Sequence, residues 1–92
     1  METLTARYDK DELAWVTDEV EVRRDIYLMV TLKRPGKLVI RQRMADGTAP
    51  RVPTRRHKDM RVFKLRLTVL AERAGLQIFT STEPKEIKYA YI

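Results

Sequence analysis

Cysteine is absent from the chain. Disulfides, thiolate metal sites and a cysteine nucleophile are therefore excluded, and a reducing compartment fits this composition. His57 is the single histidine, flanked by Arg55, Arg56 and Lys58, whose charge opposes metal binding. With no second histidine and no thiol, a usual transition-metal set cannot be assembled. His57 and Asp59 could pair, yet no obvious nucleophile accompanies them. Ser81 is the only serine, within an expected strand, so serine-hydrolase chemistry has little to work with. Three glycines, Gly36, Gly47 and Gly75, stand too far apart for a phosphate-cradling loop. These shortages point away from an enzyme and imply no cofactor.

Long apolar runs are missing too. The longest, residues 26–30, falls far short of the roughly 20 residues of a membrane span. The first eleven residues carry acids and no apolar stretch of the signal-peptide kind. The expectation is a cytoplasmic protein, with no membrane partner. Its 92 residues, 43% hydrophobic and 35% charged, suit one soluble domain spanning 1–92.

Positive charge is abundant and unevenly placed. Residues 1–25 hold eight acids and four bases, residues 26–32 neither, and residues 67–92 three of each. Between them, residues 33–66 hold twelve bases against two acids, so the net +6 is concentrated in the middle of the chain. A protein that gathers like charge usually meets an anion, and nucleic acid is the commonest. The competing reading is neutralisation by the acidic N-terminal segment, within one chain or between copies.

Along the chain, residues 8–24 read as an acidic helix. Asp9 can cap it, with Glu12 three positions on. Leu13, Val16 and Val20 then share one face at i, i+3 and i+7. The competing strand over 14–22 has β-branched residues in its favour but would turn Asp18 inward beside Val16 and Val20, a costly burial. Residues 26–44 read as a β-hairpin turning at Pro35-Gly36. Ile26, Leu28, Val30, Leu32, Leu38 and Ile40 form its apolar side. A plain two-residue turn would set arginines beside that side, so the register requires a turn plus bulge at Pro35-Gly36-Lys37.

Residues 45–59 read as a long basic loop. Within it, Pro50-Arg51-Val52-Pro53-Thr54-Arg55 matches the short Pro-x-x-Pro-x-Arg pattern of SH3-domain ligands, a match that often arises by chance. Residues 60–74 fit a strand or a helix. Perfect alternation over 63–69 favours the strand, with 71–74 a short turn of helix. Two further strands, over 76–81 and 85–92, complete the sheet and tie in the C-terminus. The expected fold is α+β: an antiparallel sheet of four to five strands with the N-terminal helix packed on one face. Phe63, Leu65, Leu67, Val69, Ile78 and Ile87 join the hairpin's apolar residues in the core. Trp15 is a core-edge residue or a partner contact.

This reading places Lys37, Arg41, Arg43, Lys64 and Arg66 on the sheet face away from the core, with Tyr27 and Met29. Cations around an aromatic are the physics of single-strand platforms, where bases stack and phosphates pair. Arg51, Arg55, Arg56, Lys58 and Arg61 form a neighbouring arm suited to phosphate backbones. DNA or RNA is one expected partner class. The other is a second copy in a homo-oligomer, the acidic end of one chain meeting the basic middle of the next.

Overall fold

The computed structural model describes residues 1–44, 53–69 and 73–92. Eight strands follow one another: β1 (Glu2–Leu4), β2 (Ala6–Asp9), β3 (Ala14–Thr17), β4 (Val20–Val22), β5 (Ile26–Met44), β6 (Thr54–Leu67), β7 (Ala74–Thr80) and β8 (Pro84–Tyr91). All join one antiparallel sheet. Among the described residues there is no helix, and so none long and apolar enough to cross a membrane. The protein is all-β, not α+β.

β5 organises everything. One side pairs with β6 along most of its length. On its other side, residues 26–32 pair with β8 and residues 38–44 pair with β7. β7 and β8 thus lie end to end, and both they and β5 bend at the same level. Lys33 N–H donates to the Glu83 carbonyl (2.9 Å) and Ser81 N–H to the Lys37 carbonyl (3.1 Å), carrying the ladder through the bend. The two halves of the sheet fold toward each other into a nearly closed, barrel-like shape. Polar contacts fasten the ends of β5 to one segment: Gln42 Nε2 donates to the Thr68 carbonyl (3.1 Å), and Val69 N–H donates to Asp25 Oδ1 (3.0 Å).

The expected hairpin over 26–44 is therefore one continuous strand. Even-numbered residues 26, 28, 30, 32, 38 and 40 are all buried, in one unbroken phase. The odd-length connection that a hairpin would need is what a single strand supplies with no turn at all. Pro35-Gly36 makes a corner, with register irregularities on either side of Gly36 in its pairing with β6. Proline tolerates such a place because no ladder donor is needed there. Gly36 is buried where a Cβ would lie 2.5 Å from Thr82 Oγ1 and 2.8 Å from Ser81 Oγ. Close approach of the two bent strands requires glycine.

The helix expected over 8–24 is replaced by a hairpin and a broken strand. Asp9 does cap a turn: its Oδ1 accepts from the N–H of Asp11 (2.8 Å) and of Glu12 (3.1 Å). The turn then ends, because Leu13 adopts φ 53° and sends the chain back as β3. Asp18 and Glu19 interrupt the strand between β3 and β4, and both stay exposed. Thr17 and Val22 face the interior instead. This kink removes the objection to a strand, since Asp18 is not buried.

β6 starts at Thr54, so residues 54–59 of the expected loop are strand; residues 45–52, including Arg51 and the first half of the proline-rich pattern, lie outside the described residues. Over 60–67 the chain is strand; of the expected helical turn over 71–74, residues 71 and 72 lie outside the described residues, and Ala74 begins β7. The core matches the apolar expectation. Eleven of the twelve expected residues are buried, and Val69 packs against them partly buried. Val22, Ala74, Leu76 and Tyr89 add to it.

Candidate polyanion interface

Directly opposed residues in a ladder project to the same side, so register alone places the outer face. Where β5 runs between β6 and β8, Tyr27 stands between Arg66 and Ala90, and Met29 between Lys64 and Lys88. Thr31 stands between Val62 and Glu86. Strand spacing of about 4.8 Å puts Lys64 and Lys88 about 10 Å apart across Met29. Phe63, Leu65, Leu67, Ile87 and Tyr89 occupy the alternate positions and fill the core, which fixes these cations outward. Tyr27 is 43% exposed, a large apolar ring held in the open on a rigid strand.

Electrostatically the face is open. Among the described residues no carboxylate pairs with Lys64 or Arg66. Lys88 meets Glu86 at 3.3 Å. An exposed pair of this kind contributes little and gives way easily. Tyr89, on the inner side, has its phenol held above the ordinary 10.0 by burial, then by the charges of Tyr91 and Glu2.

The remaining expected cations do not share this face. Lys37 pairs with Asp59 (3.0 Å), and Arg43 pairs with Glu19. Arg41 lies over the Phe79 ring, 4.7 Å from its centre, and shields that apolar ring from water. Lys33, in the same basic stretch, pairs with Glu83 (2.9 Å). Arg55, Arg56, Lys58 and Arg61 form a separate ribbon along the first half of β6, where every residue from 55 to 62 is exposed. Arg55 opposes Val39 and Arg56 opposes Leu38, so the two project to opposite sides. The single shared field expected of the basic middle is thus corrected to three groups: cations occupied by the chain's own partners, a β6 ribbon, and the outer face around Tyr27.

No family model, curated protein or solved structure matches this chain. The interface rests on its own geometry. Lys88 is the functional candidate that sequence reasoning passed over. Its signal was present in the alternation of β8, where it falls between Ile87 and Tyr89. That it stands beside Met29 depends on a pairing between distant segments. Trp15 is half-buried on β3, where its ring meets Tyr8 edge-on at 5.6 Å. Among the described residues no three His, Asp or Glu side chains gather as a metal-ligand set.

Proposed function

We propose that the protein binds a polyanion, single-stranded nucleic acid in particular, through the outer face of β6, β5 and β8. The observation that carries this reading is the register that sets exposed Tyr27 beside Arg66 and Met29 between Lys64 and Lys88. Tyr27 offers a base a stacking surface, and the three cations offer phosphates their partners. Stacking and phosphate contacts carry no sequence information, so binding through them is insensitive to sequence.

Salt dependence supplies the test. Three phosphate contacts on a single strand give a log–log slope of about −2, and recruitment of the four ribbon cations steepens it to about −5. Fluorescence anisotropy of nuclease-treated protein with a labelled oligothymidylate, at stepped sodium chloride, measures it. Tyr27→Ala should weaken binding about 5- to 100-fold, the worth of one stacked base. Lys64→Glu with Arg66→Glu should flatten the slope. Absence of binding in low salt overturns the proposal.

One observation favours a second reading, self-association. The edges of β6 and β2 that face away from β5 and β3 pair with no strand among the described residues. β8 is flanked by β5 and β1 and offers no comparable edge.

A further inference from the structure

The lower half of the sheet is one row of five strands. Arg55, Val39, Phe79, Val16 and Arg7 succeed one another across it, and so do Arg56, Leu38, Thr80, Trp15 and Tyr8. β6 and β2 are the two ends of that row. An unpaired edge is a template for another chain unless something guards it.

The two ends differ in charge: β6 is strongly basic, while the β2 end, with Asp9, Asp11 and Glu12 against Lys10 and an Arg7 that pairs with Asp18, is weakly acidic. β6 presents Arg55, Arg56, Lys58 and Arg61, and no carboxylate among the described residues pairs with any of them. β2 runs into the turn that holds Asp11 and Glu12, whose carboxylates likewise meet no cation among the described residues. Each end also exposes large apolar side chains: Met60 (41%) and Val62 (42%) on β6, Tyr8 (50%) and Leu13 (74%) at the β2 end. Cations on β6 guard it against a second β6, because like charges opposed across strands repel. They do not guard it against an acidic edge.

Deepening the self-association reading, we infer that the partner of the β6 edge is the β2 end of a second copy. The contact is heterologous: one surface of each chain meets a different surface of the next. It therefore propagates, closing as a ring or extending as a filament. Arg61 and Lys58 face Asp11 and Glu12 of the neighbour, and Met60 and Val62 meet its Leu13 and Tyr8. The contact takes Val62 at the margin of the outer face and leaves Tyr27, Lys64, Arg66 and Lys88 uncovered.

Charge reversal of the full-length, nuclease-treated chain tests this by sedimentation velocity over a wide concentration range. Wild type in low salt should sediment faster than a monomer, increasingly with concentration, and return to monomer near 0.5 M sodium chloride, where screening acts within a few ångströms. Asp11→Lys with Glu12→Lys, and separately Lys58→Glu with Arg61→Glu, should each remain monomeric with unchanged strand signal in circular dichroism. Mixing the two variants should restore association, since each then offers the other a complementary edge. A wild type that is monomeric throughout overturns self-association altogether. Wild-type association that survives both reversals overturns this interface alone, as does loss in both without recovery on mixing. Tyr27→Ala should leave sedimentation unchanged, which separates this result from polyanion binding.

Discussion

Gln42 carries, among the described residues, a buried side-chain oxygen with no hydrogen-bond partner. Its Nε2 donates to the carbonyl of Thr68, a residue that water reaches, while Oε1 is shut off from solvent. Thr17 is the opposite case. It too is buried, but its Oγ1 accepts the Ile78 N–H at 3.0 Å in the sheet interior. The cost of a polar deletion depends on what is left stranded. Gln42→Leu strands nothing, because the Thr68 carbonyl turns to solvent, and it removes an unsatisfied oxygen. Its stability in urea should equal wild type or exceed it by up to about 1 kcal/mol. Thr17→Val keeps the volume and strands the Ile78 N–H, so it should lose about 1–3 kcal/mol. Equal effects of the two substitutions would contradict this account.

Among the elements, β5 is held along both sides, and its corner is the part least tolerant of change. At that corner Thr82 Oγ1 donates to the Arg34 carbonyl (2.8 Å), and Ser81 Oγ accepts from Lys37 N–H (2.7 Å). A methyl group at Gly36 would displace both hydroxyls. Gly36→Ala should cost about 1–3 kcal/mol by loss of two hydrogen bonds, and in hydrogen exchange the amides of Lys33, Lys37 and Ser81 should be deprotected first. Protection unchanged at those three amides would refute the corner's role. The same corner shows why the fold was only partly legible in the sequence. Alternation identified the core nearly residue for residue, because burial on one face is a local consequence of the two-residue period. Pro35-Gly36 reads locally as a reverse turn, and only the distant 81–83 bend makes it a corner. Asp9 misled in a related way. An aspartate that caps a turn is chemically the same at a helix start and in a hairpin, and the outcome was decided one residue past Glu12, by the backbone of Leu13. The candidate site was legible to the same degree. Alternation gave the outward direction of Tyr27, Lys64 and Arg66. The partners that occupy Lys37 and Arg43, namely Asp59 on β6 and Glu19 between β3 and β4, come from distant segments and leave no local trace.

For the whole molecule, the balance between attraction and repulsion among surface charges has a readable sign. Seven ion pairs join described residues, and all are exposed or partly exposed, so each contributes at most about 1 kcal/mol and commonly less. Against them stands a net charge of +6, with cations crowded along β6. Alternate residues on a strand are about 6.6 Å apart, well inside the screening length of about 10 Å at 0.1 M salt and outside the 3 Å length at 1 M. In dilute solution, where the chain is monomeric, raising sodium chloride therefore relieves more repulsion than it removes attraction. The melting temperature should rise, by about 4–8 °C if the relief reaches 1 kcal/mol for a chain of this size. Lys58→Glu with Arg61→Glu, which breaks the β6 cluster, should rise less. Nucleic-acid affinity moves the other way with the same salt, because counterion release is lost. Stability that increases while binding declines is the signature of a cationic surface the fold tolerates and does not neutralise. A melting temperature that falls with salt would mean that the ion pairs outweigh the repulsion and that the cations of β6 are already satisfied within the chain.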